Sequence, residues 1–313
     1  MSVIVFGSIN MDLVAHTPRL PMPGETLTGH SFITVPGGKG ANQAVAVARL
    51  GVPAQMVGRV GGDGFGQELL NSLRIAGVGS DRILVDSTTR SGIAVIAVDD
   101  NGENHIILVP GANGRVGIED VNRLRDLLPT ATILLLQLEI PMAAIVAAAQ
   151  IAKQSGVKVI LDPAPAQELP TALYPLIDIL TPNQVEASQL AGFAVHDLES
   201  AAQATMVFQQ RGVHTVIIKL GRQGAFCATQ EEHYLIPPFS VEAIDTVAAG
   251  DAFNGGLAAA LAEGVSLKQA GVWASATGAL SVTRSGAQAS MPTRDELNAL
   301  LALSKQTAED TSP

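Results

Sequence analysis

In the stretch "DTVAAGDAFNGG", Asp245 to Gly256, a carboxylate stands where an apolar run is about to begin. Asp251 follows Ala248, Ala249 and Gly250 directly, "LAAALAEG" comes just after, and a second carboxylate, Asp245, lies upstream. An N-cap accounts for an Asp at a helix entrance, because its oxygen accepts from the first free amides. That reading gives Asp245 and the three small residues no task.

Further polar residues fall where a sheet would end. Asn10 and Asp12 in "GSINMD" are two apart, share a face on a strand and could grip adjacent hydroxyls; an Asx turn is the competing account. In "PGGKGANQA", Gly37 and Gly38 let the backbone approach a small ligand, and Lys39 and Asn42 supply polar ends. The loop is not a Walker phosphate loop, since its first Gly lies too close to Lys39 and Gly40 stands where Ser or Thr would hold magnesium. Glu139 closes "TILLLQLE", a costly place for a carboxylate unless it faces a polar cleft or the surface. Asn183 and Glu186 in "TPNQVEA" are three apart at a helix start, suited either to magnesium through water or to an ordinary cap. Lys219, Gly221 and Gly224 in "KLGRQGAF" fit a nucleotide phosphate or a plain turn.

The elements that must position these residues alternate. "SVIVFGSI", "AQMVGRVG", "TILLLQL", "VKVILDP", "DILTP" and "HTVIIKLG" read as buried parallel strands, being short apolar runs bounded by turn residues. Between them "KGANQAVAVARLG", "GQELLNSLRIAG", "PMAAIVAAAQIAKQSG", "NQVEASQLAG" and "AAQATMVFQQRG" are apolar at helical spacing. The alternation predicts an α/β fold, a mainly parallel sheet sandwiched by helices. Two segments depart from it: the proline-rich His16 to Gly38, and Gly92 to Asn113 with a hairpin turn at Asn101-Gly102. Together they predict a small antiparallel β lid, its segments at about residues 13–36 and 92–110, within a single domain spanning 1–313.

Composition narrows the partners. A formal net charge of −10 gives no basic footprint for nucleic acid or anionic membrane. Gln137, Glu139 and Pro141 interrupt the most apolar stretch, so it reads as strand then helix, not a membrane span. The single cysteine, Cys227, cannot form an intrachain disulfide, and the N-terminus carries no signal-peptide pattern; a cytoplasmic location is expected.

Taken in order, "GSINMD", "PGGKGANQAVAVARLG", "LLLQLE", "TPNQVEA", "KLGRQG", "DTVAAGDAFNGGLA" and "VTRSGAQASMP" resemble the phosphofructokinase-B-type, or ribokinase-like, carbohydrate kinases over essentially the whole chain. The resemblance implies a sugar site at Asn10, Asp12, Gly38, Lys39, Gly40, Asn42 and Glu139. It implies an ATP site at Asn183, Lys219, Gly221, Gly224 and Gly250, with Ser275 standing where relatives commonly carry Asn or His near the adenine. Asp251 matches the catalytic base, and Glu186 a magnesium ligand acting through water. Asp245 and the backbone of Val247, Ser281, Arg284 and Gly286, with Ser290, match a site for a monovalent cation such as potassium. Where the family often has Gly-Ala-Gly-Asp, this chain has Ala248-Ala249-Gly250-Asp251.

On that resemblance the small residues acquire a task. Amides of Ala248 to Asp251 at a helix N-terminus would form an anion hole for the moving phosphoryl group, with Asp251 taking the proton of the sugar hydroxyl. The pairing of "NMD" with "GGKGAN" implies D-ribose, phosphorylated at its 5-hydroxyl. Kinases of fructose, deoxyribose or a nucleoside, or a non-catalytic sugar-binding protein on the same fold, are the alternatives. Exposed lid edges suggest a homodimer formed through the lid.

Overall fold

The structure, a computed structural model, describes residues 2–310. In chain order its elements are β1 (Ser2–Phe6), β2 (Asn10–His16), β3 (Ser31–Gly37), α1 (Lys39–Arg49), β4 (Ala54–Gly61), α2 (Gly64–Ile75), β5 (Gly79–Asp86), β6 (Gly92–Val98) and β7 (Asn104–Val109). After these come α3 (Ile118–Arg125), β8 (Ala131–Leu136), α4 (Met142–Gln154), β9 (Lys158–Leu161), β10 (Ile179–Leu180), α5 (Gln184–Ala191), α6 (Leu198–Gln210), β11 (Thr215–Lys219), β12 (Ala225–Ala228) and β13 (His233–Ile236). Three helices finish the chain: α7 (Ala249–Ala262), α8 (Leu267–Ser281) and α9 (Arg294–Asp310).

Nine strands form one sheet in the order β13-β12-β11-β10-β9-β8-β1-β4-β5, parallel except for β12 and β13. Its continuous apolar strands are explained by burial on both faces. Val3 and Val5 of β1 enter one core with α1, α7 and α8, whereas Ile4 and Phe6 enter the other with α4 and α6. Chain progression reverses at β1, which lies between β4 and β8. Such a switch point opens a crevice at the carboxyl ends of the strands.

Helix α7 lies close against α1 and α8, and paired glycines permit it. A Cβ on Gly255 would come 2.3 Å from Ala46 Cβ, and one on Gly256 would come 2.5 Å from Thr277 Oγ1. The helix start is thereby pinned over the crevice.

The two irregular segments do form a second sheet, in the order β3-β2-β6-β7. Its hairpins β2–β3 and β6–β7 are antiparallel, as expected, but β2 and β6 pair in parallel, since β6 arrives from the main sheet after β5. At the β6–β7 turn Asp99 Oδ1 accepts from Asn101 N and Glu103 N, both at 2.9 Å. Strand β5 escaped the sequence pattern because its run, "GSDRILVD", is broken by charge, and β12 and β13 were not anticipated either.

Candidate active site

Asp251 is the third residue of α7, not its cap. Ala248 occupies the cap position in a left-handed conformation, φ 58°, and among the described residues no side chain caps the helix. The Asp251 carboxylate turns away to accept from Asn42 Nδ2 at 2.9 Å and Gln43 Nε2 at 3.1 Å. It is 4% exposed, and that burial pushes its pKa up to about 6. Lys39 opposes the rise, Asp162 adds to it, and the Asn42 and Gln43 bonds restrain it. Behind it, the amides of Gly250 and Asp251 have no acceptor among the described residues, while Ala249 N reaches Thr246 O at 3.3 Å. Free amides at a helix start favour an anion.

Around β1, β2 and α1 the polar residues converge. Glu139 Oε2 accepts from Ser8 Oγ at 2.5 Å, Lys39 N at 3.1 Å and Asn10 Nδ2 at 3.4 Å. Asn10 Oδ1 in turn accepts from Asn113 Nδ2 at 2.7 Å. The loop can lie this close because Gly38 and Gly40 lack side chains; a Cβ would come 2.6 Å from Asn10 N and 2.7 Å from Ser8 N, respectively. Asp12 shares the pocket, and burial, then Glu139 and Asp251, push its pKa up to about 7 against the pull of Lys39. Burial disfavours the Lys39 ammonium, yet Asp251, Asp162, Glu139 and Glu186 around it hold it firmly protonated. Among the described residues Asn42 Oδ1 is buried without a partner, a free acceptor beside the base.

On the other side of Lys39 opens a cleft of about 1210 Å³, lined by Asn183, Glu186, Lys219, Gly221, Gly224, Ala248 to Asp251 and Ser275. Lys219 Nζ pairs with Asp162 Oδ1 at 2.9 Å. A Cβ on Gly250 would stand 3.3 Å from that ammonium, so the helix start and the lysine face one another. Asn183 and Glu186 make the reciprocal cap anticipated as one reading: Asn183 Oδ1 accepts from Glu186 N at 2.9 Å, and Glu186 Oε2 from Asn183 N at 2.7 Å. Glu186 is nonetheless buried in the cleft wall, and burial followed by Asp162 raises its pKa, with Lys219 opposing. Ser275 lines the cleft with its hydroxyl donating to Pro237 O at 2.8 Å.

Asp245 binds two strands of loop together, accepting from Val247 N and from Gly286 N, each at 2.9 Å. Nearby, the Ser281 and Ser290 hydroxyls turn back on Gly278 O and Ala287 O, both at 2.8 Å, and Arg284 pairs with Glu296 at 2.6 Å. A cation here would therefore meet backbone carbonyls and the remaining lone pairs of Asp245. Among the described residues, no group of three or more His, Cys, Asp or Glu side chains is placed to hold a metal. A divalent ion near Glu186 and Asp162 would draw most of its ligands from water and phosphate.

Sequence reasoning missed Ser8, Gln43, Asn113, Gln137 and Asp162. Gln43 carried a signal, a polar residue on the apolar face of α1, and Asp162 another, a carboxylate at the end of β9.

The family model described as pfkB family carbohydrate kinase matches residues 1–294. The ribokinase of Haemophilus influenzae is 44% identical over 295 residues, 94% of this chain and 96% of its own. The deoxyribokinase of Salmonella typhi is 34% identical over 306 residues, 97% of this chain and 100% of its own. A solved structure of Arabidopsis thaliana ribokinase complexed with ribose and ATP superposes with a TM-score of 0.88 at 35% identity, covering 96% of this chain and 98% of its own.

Proposed function

The chain belongs to the pfkB family of carbohydrate kinases, and on that premise we propose that it transfers the γ-phosphoryl group of ATP to the 5-hydroxyl of D-ribose. One observation carries the reading: Asp251, buried and held by two amides, sits at a helix start whose next amides are free, between the sugar-side cluster and the cleft. In this mechanism Asp251 accepts the hydroxyl proton as the oxygen attacks. The free amides of Gly250 and Asp251, with the partial positive charge of α7, stabilise the charge on the moving group.

Asn10, Asp12, Gly38, Lys39, Gly40 and Glu139 hold the sugar, and the unpaired Asn42 Oδ1 supplies a further acceptor for a hydroxyl. Asn183, Lys219, Gly221, Gly224, Gly250 and Ser275 line the place for ATP. Magnesium would be held near Glu186 through water and would neutralise phosphate charge. A potassium ion among the carbonyls of Val247, Ser281, Arg284 and Gly286, beside Asp245 and Ser290, would stiffen the loop that enters α7. The chain acts as one kinase unit, with the second sheet as lid and dimer surface. A cytoplasmic location fits ATP as co-substrate and the buried, unpaired Cys227.

The likeness to a deoxyribokinase makes 2-deoxyribose the second candidate. A site lined by so many polar groups favours the sugar with every hydroxyl present, because each missing one leaves a desolvated partner at a cost of about 1–3 kcal/mol. The test is catalytic efficiency for ribose, 2-deoxyribose, fructose and adenosine, with ATP and magnesium, in potassium and in sodium buffers. Ribose is expected first, deoxyribose clearly lower and adenosine hardly used, with turnover higher in potassium. A higher efficiency for any of the other three overturns the ribose assignment.

A further inference from the structure

Two amides outside the roles given above are wholly buried beside Asp251. Gln43 sits on α1 among Ala41, Ala44, Val45 and Val47, and Gln137 follows β8; both are 0% exposed. Gln43 Nε2 donates at once to Asp251 Oδ1 at 3.1 Å and to Asp162 Oδ2 at 3.0 Å, while Gln43 Oε1 accepts from Gln137 Nε2 at 2.6 Å. Chemistry fixes this orientation. The end of an amide that faces two carboxylates must be its NH2, so the other end is a carbonyl and Gln137 must offer an NH2 to it. Gln137 fits there only because Gly7 has no side chain, since a Cβ would come 1.9 Å from Gln137 Oε1. At the far end Lys219 donates to the second oxygen of Asp162.

Packing alone does not call for such residues. A buried amide is costly unless its bonds are made, and an apolar side chain of similar volume would fill the same space on α1. A fixed donor placed between two buried carboxylates does something an apolar group cannot: it favours the charged form of Asp251 and holds it in register with Asp162.

We propose that Gln43, oriented by Gln137, is a positioning residue that keeps the Asp251 carboxylate aimed and ionised and ties it to Asp162 and Lys219 on the nucleotide side. This rests on the reading of Asp251 as general base. The charged groups acting on Asp251 are Lys39 from α1, Asp162 from the end of β9 and Asp12 from β2, with the amides of Asn42 and Gln43 in direct contact. Of the two amides, Gln43 alone bridges to Asp162. Without it Asp251 loses a bond to its charged form while the repulsion of Asp162 remains, so its pKa rises.

Gln43→Met, Gln137→Met and Asp251→Asn in the whole enzyme, assayed with ribose and ATP across about pH 5 to about pH 9, test this. Gln43→Met should move the acid limb of kcat upward by about one pH unit while changing the ribose KM by less than about threefold. Gln137→Met, which touches neither carboxylate, should move the same limb the same way by less. A merely structural contribution would lower kcat by one factor at every pH. That result, or an unshifted limb, in both Met variants overturns the proposal; if Gln43→Met does not fold, Gln137→Met decides alone. Asp251→Asn separates the two ideas. Parental turnover in it sinks the base itself, whereas an inactive Asp251→Asn beside unshifted Met variants sinks only the role of Gln43.

Discussion

A general base must be ionised at neutral pH and still want a proton, and the surroundings of Asp251 strike that balance. Burial lifts its pKa toward about 6, and Lys39, Asn42 and Gln43 stop it there. Turnover is expected to fall as the pH drops through about 6, where the base takes up a proton before the substrate arrives. Asp251→Asn keeps the shape, and Asn42 can turn its unpaired Oδ1 toward the new amide, so the fold should survive. Its kcat should drop about a hundredfold or more, with ribose KM less affected. Asp12 makes a second prediction with a definite sign. Its pKa rises from 3.8 to about 7 on folding, so the folded state keeps a proton that the unfolded chain releases, and this group subtracts stability as the pH climbs between those values. The Tm of Asp12→Asn relative to the parent should therefore increase from about pH 4 to about pH 7 and level off above, while ribose binding weakens by about one to three powers of ten. A Tm difference that does not change with pH would refute the shift.

At the scale of elements, the entrance to α7 carries the chemistry, and its geometry depends on one strained residue. Ala248 adopts φ 58° and ψ 12°, a region that costs an L residue about 1–2 kcal/mol and glycine little. Ala248→Gly is expected to keep kcat within about threefold, whereas the β-branched Ala248→Val should destabilise by about 1–3 kcal/mol and lower kcat, because the free amides behind it would turn away. Denaturant midpoints and kcat for the pair check this; equal stability would show that the loop relaxes freely. The sequence pattern could not reveal this strain, since "VAAGD" prints residue types and not torsions. It did reveal β1, β8, β10 and β11, whose carboxyl ends lead to Asn10, Glu139, Asn183 and Lys219, because buried parallel strands leave continuous apolar runs that stop at or shortly before those polar residues. Gln43 stayed hidden because it lies inside a run that otherwise reads as core, and Asp162, at the end of β9, because only the crossing of α1 over that strand end makes the two neighbours.

The whole molecule sets two sheets around one site, and the smaller sheet carries more apolar surface than its own core needs. Ile106 and Ile107 are adjacent on β7, so they point to opposite faces, yet both are exposed, and Phe32 and Ile33 on the other edge strand repeat the pattern. Edge strands of this kind pair with another chain unless something blunts them. A second copy supplies the same surface, and a two-fold axis would cover both lids at once. The parent enzyme is therefore expected to sediment as a dimer. A charge at the patch, Ile107→Asp, should yield monomers at about micromolar protein, because a buried, unpaired carboxylate costs several kcal/mol at an interface. Strand β2 spans both regions, with Asn10 and Asp12 at its sugar-side end and lid strands on either flank. Freed lids should consequently raise the ribose KM more than the KM for ATP, whose cleft is lined by the main sheet and α7. Sedimentation of the parent as a monomer across that concentration range would remove the dimer, and a dissociated Ile107→Asp with unchanged ribose KM would uncouple the lid from the sugar site.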